Sequence, residues 1–271
     1  MSQRVRALSV RALSVLALAG ACGGLLLSPT SVGAAAIAHP PAGLAPARAP
    51  TPSGTGQPFN GVAAVGALFT MNSRTLGTHF CTATIVDSPH GDLAVTAAHC
   101  VAGQTGKIAF VPGYANGKAP LGVWLVTATY TDKAWQSSQN PDHDVAFLRL
   151  ADSPRGVPVE NVTGAERLGA DTDRPALVQV VGYPNGADQP VLCANWVKLF
   201  SPTQLEFDCG GYTDGTSGGP FIADVSASSG QGTITAVIGG YEQGGDTPDV
   251  SYGAAFGSAV ATLYRSAKAA S

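Results

Sequence analysis

The sequence predicts an all-β protein of two six-stranded antiparallel barrels followed by a short C-terminal helix. Three observations lead there. From Phe59 onward the chain breaks into about twelve strand-length runs rich in Val, Thr, Ile, Phe and Tyr, with Gly, Pro, Asn and Asp between them. Helix-period apolar spacing appears only near the end, over Gly257–Ala267, where Val260, Leu263 and Tyr264 fall at i, i+3 and i+4. The runs divide about evenly around residue 160, which gives one barrel over 59–160 and a second, with the terminal helix, over 161–271.

The elements follow in order. Arg4, Arg6 and Arg11 precede an apolar stretch from Ala12 to Leu27, and small residues follow. That is the order of a secretory signal over residues 1–38, with Ala34, Ala36 and Ala38 as A-x-A-like cleavage sites. The apolar stretch is too short, and too interrupted by Gly20, Gly23 and Gly24, for a retained membrane span. Cys22 offers a rival reading, a lipid anchor, although Ala19 stands where a lipoprotein signal usually has Leu. Without that anchor the product is expected to be extracellular, monomeric and free of the membrane. Residues 39–58, rich in Pro, Ala and Gly with Arg48 the sole charge, read as a solvated linker or propeptide.

The strand runs are Gly61–Phe69, Phe80–Val86, Leu93–Ala98, Lys107–Val111, Val123–Tyr130 and Val145–Leu150 for the first barrel. The second has Ala176–Tyr183, Val191–Phe200, Gln204–Cys209, Pro220–Val225, Thr233–Ile238 and Ser251–Phe256. Most are continuously apolar, as strands buried on both faces should be, while Val123–Tyr130 partly alternates.

Composition removes several functions. Charged residues make up 12% of the chain, about half the ordinary share of roughly 25%, so a polar disordered chain or a coiled coil is excluded. The net charge is −3 and no Lys/Arg run follows the first 15 residues, so a nucleic-acid binder is not expected. Export leaves Cys81, Cys100, Cys193 and Cys209, which read as two disulfides with three connectivities open. No Cys-x-x-Cys pair or clustered histidines suggest a metal, and no cofactor motif is present.

Three strings carry chemistry: Thr96-Ala97-Ala98-His99-Cys100, Asp144-Val145-Ala146-Phe147-Leu148, and Gly215-Thr216-Ser217-Gly218-Gly219-Pro220. Singly, each has a plain structural reading: a core histidine, a strand-start carboxylate, a loop hydroxyl. Together they supply what acyl transfer needs. A serine hydroxyl requires a base to become a nucleophile near neutral pH. An imidazole can take that proton and return it to the leaving group. A carboxylate fixes the imidazole tautomer, and glycines let backbone amides approach a developing oxyanion.

These strings resemble those of chymotrypsin/trypsin-like serine endopeptidases, in the style of the bacterial secreted members, over about Gly61 to Tyr264. The resemblance implies a chymotrypsin-like double barrel and cleavage of polypeptide substrates through an acyl-enzyme. His99 would be the general base and acid, Asp144 its orienting partner and Ser217 the nucleophile, with the Gly215 and Ser217 amides as oxyanion hole. It also implies a Cys81–Cys100 disulfide and, with it, Cys193–Cys209. Gly211 would sit at the floor of the specificity pocket, where trypsins carry aspartate, and Gly239-Gly240-Tyr241 would form an edge for substrate strand addition. A medium or small apolar side chain is expected before the cleaved bond, with basic residues second. Asp214, Glu242 and Asp249 read first as ordinary loop carboxylates, and His143 as a packing residue. The sequon Asn161-Val162-Thr163 is not expected to be modified behind a bacterial-style signal.

Two departures and one exclusion complete the reading. Thr216 replaces the aspartate that pairs with a freed N-terminal amine in animal relatives, and no activation junction lies near Phe59, so that switch is not expected. Gly215-Thr216-Ser217-Gly218-Gly219 also fits the nucleophile elbow of esterases, but that fold needs a histidine after the serine. All five histidines precede Ser217. A noncatalytic binding protein on the same fold remains the competing function class.

Overall fold

The computed structural model describes residues 52–169 and 176–271. The signal, Cys22 and most of the proline-rich segment lie outside them. No helix among the described residues is long and apolar enough to cross a membrane.

The chain forms strands β1 (Gln57–Pro58), β2 (Val65–Asn72), β3 (Thr75–Ile85), β4 (Leu93–Thr96), β5 (Ile108–Pro112), β6 (Trp124–Thr131) and β7 (Ala146–Leu150). Then come β8 (Arg167–Leu168), β9 (Leu177–Gly182), β10 (Val191–Ser201), β11 (Gln204–Asp208), β12 (Pro220–Ala223), β13 (Thr233–Ile238) and β14 (Val250–Ala255). Helices α1 (Lys133–Ser138), α2 (Glu160–Thr163) and α3 (Ser258–Ala270) join or close them. The first barrel closes in the order β2-β3-β4-β7-β6-β5. The second runs β10-β11-β14-β13-β12-β9 and closes through the β9–β10 pairing, with β1 and β8 added outside the ring. Two closed six-stranded antiparallel barrels and a C-terminal helix are therefore what the sequence predicts.

Each of the twelve runs lands on a strand; β4, β5 and β12 are buried at every position, whereas β10 is exposed at Trp196 and over Lys198–Phe200. Alternation in β6 likewise reflects alternating burial. Leu68, Ile85, Phe110 and Leu148 fill the first barrel, and Val180, Phe207 and Phe221 the second. A third cluster joins Leu93, Val95 and Phe147 to Ile234, Val237, Phe256 and Val260, so α3 covers a seam between the barrels. Disulfides link Cys81 to Cys100 and Cys193 to Cys209, with Cα separations of 6.1 and 6.6 Å. Each closes a loop worth about 3 kcal/mol in denatured-state entropy.

The sequence does not foreshadow β1 or α1. The last residues of the proline-rich stretch stay largely exposed but pair with the barrel: β1 pairs with β10, and Gly56 N donates to Gly210 O at 2.7 Å while Gly210 N returns a bond to Gly54 O at 3.0 Å. The pairing uses backbone alone, so hydrophobic pattern could not announce it. In α1 the Asp132 Oδ1 caps the helix by accepting from Trp135 N at 2.9 Å, and Gln139 ends it in the left-handed region.

Candidate active site

His99 lies three residues past the end of β4, whose buried Leu93–Thr96 pairs with β3 and β7 and so fixes the turn that carries the imidazole. The Cys81–Cys100 disulfide ties the residue after His99 back to β3. Asp144 ends a 3-10 turn, Pro141–His143, just before β7. That turn is held from both barrels. Asn140 Oδ1 accepts from Asp142 N at 3.0 Å, and Asp142 Oδ1 accepts from Thr203 Oγ1 and Gln204 Nε2, each at 2.8 Å. His143 Nδ1 is hydrogen-bonded to Asp132 Oδ2, joining the turn to the cap of α1, which gives His143 a structural task.

The Asp144 carboxylate has no solvent exposure and receives three N–H groups. Oδ1 accepts from the His99 backbone at 2.8 Å; Oδ2 accepts from His99 Nδ1 at 2.7 Å and from Gly240 N at 2.9 Å. An ionised carboxylate at Nδ1 places the ring proton there and leaves the Nε2 lone pair for another partner. His99 itself is 16% exposed, open enough to reach a substrate.

Ser217 sits on a loop that only glycine can build. Gly215 and Gly218 have φ of +93° and +81°. A Cβ at Gly215 would lie 2.3 Å from Asn185 Oδ1, and one at Gly218 would lie 2.1 Å from Thr96 Oγ1. Thr82, fully buried on β3, ties this loop to the first barrel. Its N–H donates to Ser217 O at 2.8 Å and its hydroxyl to Gly215 O at 3.0 Å, and it accepts from Tyr183 N at 3.0 Å. Thr96 Oγ1 in turn donates to Thr82 O at 2.7 Å. The loop carbonyls thus face into the protein, and Thr216 N and Gly218 N are spent within it, on Thr213 O at 3.1 Å and Ile238 O at 2.7 Å.

His99 and Ser217 border the same cavity, of about 960 Å³, together with Gly215, Asn185, Tyr212 and Ile238. Their side chains are not hydrogen-bonded to each other in this arrangement; the imidazole's side-chain bond is to Asp144. Asp214, Glu242 and Asp246 also border the cavity, and no Lys or Arg among the described residues does.

The structure brings His99, Asp144, Gly215 and Ser217 together, but places the expected substrate-binding residues differently. Gly211 does not border the cavity; it is exposed and backs onto the Gly56 backbone. Asp249 lies behind the same wall, with Oδ1 3.0 Å from where a Gly210 Cβ would be. In Gly239-Gly240-Tyr241 every amide is already donated, to Tyr252 O at 3.0 Å, to Asp144 Oδ2 and to Gln204 Oε1 at 3.2 Å. A short 3-10 turn begins at Tyr241, with Glu242 and Gln243 in the left-handed region, so this edge offers no free run of donors for strand addition. One trio of possible metal ligands lies together among the described residues, Cys81, His99 and Cys100, and its two sulfurs are spent in the disulfide.

Thr82, Asn185 and Gln204 support the site, yet sequence reasoning missed all three. Each acts through contacts with residues distant along the chain, and no local pattern marks such a residue.

Residues 81–228 match the family described as the trypsin-like peptidase domain. No curated protein matches the chain. Among solved structures, protease Anisep from Arthrobacter nicotinovorans is 25% identical, with 79% of this chain and 100% of that chain covered and a TM-score of 0.67. The thermostable serine protease AL20 from an extremophilic microorganism is 24% identical over 77% of this chain and 98% of its own, with a TM-score of 0.65. A Glu endopeptidase is 16% identical over 80% and 98%, with a TM-score of 0.62. The last two likenesses bear on the fold alone.

Proposed function

The chain belongs to the trypsin-like peptidase family, and from that premise we propose that it is a secreted serine endopeptidase working through an acyl-enzyme. The observation that carries the reading is the buried Asp144 carboxylate bonded to His99 Nδ1 at 2.7 Å, on a cavity shared with Ser217. His99 Nε2 takes the Ser217 proton as Oγ attacks the scissile carbonyl carbon. The Gly215 and Ser217 amides hold the resulting oxyanion, and the imidazolium, steadied by Asp144, gives its proton to the departing amine. Water then enters, loses a proton to His99 and releases the acyl group, restoring the serine.

Thr216 suits an enzyme that needs no freed N-terminal amine, because its hydroxyl donates to Thr213 O at 2.8 Å and is satisfied within the loop. Exposure of the product outside the cell accords with two disulfides in the barrels. A monomer acting on polypeptides, without cofactor, fits a cavity that is complete within one chain.

The carboxylates of Asp214, Glu242 and Asp246, with no cation facing them, favour the basic of the two expected side chains before the cleaved bond. A panel of internally cleavable peptides differing only at that residue tests both proposals. Wild type is expected to cut Lys or Arg peptides at least about tenfold faster than Ala peptides, and Ser217→Ala to cut none. Equal cleavage by Ser217→Ala would remove the endopeptidase reading; an Ala preference would return the apolar pocket.

A further inference from the structure

The hydroxyl of Thr82 makes two bonds across the join between the barrels, and both bear on the proposed oxyanion site. Thr82 stands on β3 of the first barrel with no solvent exposure. Its Oγ1 donates to Gly215 O at 3.0 Å and accepts from Tyr183 N at 3.0 Å, and both partners belong to the second barrel. A backbone N–H can only donate and a carbonyl can only accept, so the hydroxyl has one fixed polarity: its single proton is spent on Gly215 and a lone pair on Tyr183. No other side chain among the described residues reaches a carbonyl of Gly215, Thr216 or Ser217.

What that bond controls follows from the loop. Among the amides from Gly215 to Gly219, those of Thr216, Gly218 and Gly219 donate to Thr213 O, Ile238 O and Thr216 O. Only those of Gly215 and Ser217 have no acceptor among the described residues. Two such donors stabilise an oxyanion well only if their peptide planes are set beforehand, so that nothing reorients during the reaction. Gly215 is the weak point. With φ of +93° and no side chain, it turns freely unless the peptides on both sides of it are held. Asn185 N holds the preceding one by donating to Asp214 O at 2.6 Å, which across a trans peptide aims the Gly215 N–H the opposite way. Thr82 Oγ1 holds the following one through Gly215 O.

We propose that Thr82 is a positioning residue whose hydroxyl sets the Gly215 and Ser217 amides for the oxyanion. The role rests on the endopeptidase reading and adds a residue on which that reading's turnover depends. Thr82 touches no reacting atom and acts through Gly215. It also keeps the oxyanion donors of the second barrel in register with the base of the first, because Thr96, three residues before His99, donates its hydroxyl to Thr82 O at 2.7 Å.

Thr82→Val removes the proton and the lone pair at nearly constant shape, and Thr82→Ser keeps both. In Thr82→Val, kcat for peptide cleavage is expected to fall by about 10², the scale of one lost oxyanion donor, with KM within about threefold of wild type. Affinity for a peptidyl trifluoromethyl ketone should fall in parallel, since its hemiketal oxygen enters the oxyanion site once Ser217 Oγ has added to the ketone carbon. Thr82→Ser should restore kcat to within about threefold of wild type. Thr82→Ala, measured alongside, carries the same expectations as Thr82→Val, so a folding failure in one leaves the other to decide. A purely structural Thr82 gives a different pattern: a lower Tm, with kcat and ketone affinity of the folded protein unchanged. That pattern overturns the proposal, and so does a Thr82→Ser variant as slow as Thr82→Val. Fluorophosphonate labelling of wild-type Ser217 separates the two claims. A wild type that labels and cleaves, beside an undiminished Thr82→Val, defeats the positioning role alone. A wild type that neither labels nor cleaves defeats the peptidase reading and the role with it.

Discussion

Asp144→Asn is expected to lower turnover by about 10⁴ while leaving the barrels folded. The carboxylate receives three N–H groups and has nothing to donate, which matches its surroundings: His99 N, His99 Nδ1 and Gly240 N. An asparagine amide must turn its NH₂ toward at least one of those donors. If it faces the ring, Nδ1 becomes the acceptor and the ring proton moves to Nε2, where a lone pair is needed to receive the Ser217 proton. If it faces Gly240, a buried backbone donor is stranded at a cost of about 1–3 kcal/mol and the turn loosens. Peptide hydrolysis by a variant with unchanged circular dichroism checks this. Activity within tenfold of wild type would mean that Asp144 does not orient the base.

The second large effect is on the loop. Gly218→Ala should destabilise the protein by about 3–5 kcal/mol and cost at least about 10² in activity. Two penalties combine there. The residue has φ of +81°, and its new Cβ would overlap Thr96 Oγ1 and Thr82 O, 2.1 and 2.2 Å away, both parts of the buried link between the barrels. Gly103 separates the penalties, because it has φ of +71° and nothing within 4 Å of a Cβ. Gly103→Ala should therefore cost only about 1 kcal/mol, the strain alone. Urea denaturation of the two variants gives the comparison. Equal losses would show that the overlap at Gly218 relaxes freely and that the loop is not locked.

How much of this the sequence revealed depends on how far apart the interacting groups are along the chain. A strand run such as Leu93–Ala98 is legible because burial at every position of β4 favours a nearly unbroken apolar sequence. The proposed catalytic positions stand out because each sits in a short string whose neighbours are constrained too: Gly218 by its φ, Cys100 by its disulfide. Pairing through backbone alone left no mark, so β1 and the bonds of Gly54 and Gly56 to Gly210 went unseen. The same holds for Thr82, whose two donated bonds reach residues more than a hundred positions away. Carbonyl and amide commitments are equally silent in sequence. That is why Gly239–Tyr241 reads as an open edge although Asp144, Tyr252 and Gln204 already occupy its donors.

In the proposed mechanism one alcohol of this chain is made nucleophilic by His99 and Asp144. Intact and peptide-mapped mass spectrometry after treatment with a fluorophosphonate tests it most directly, since attack by an activated hydroxyl expels fluoride and leaves a phosphonyl group on that oxygen. One adduct per chain is expected, on Ser217, absent from Ser217→Ala and slowed by at least about 10³ in His99→Ala. An adduct that persists in Ser217→Ala, or forms as fast without His99, would contradict it.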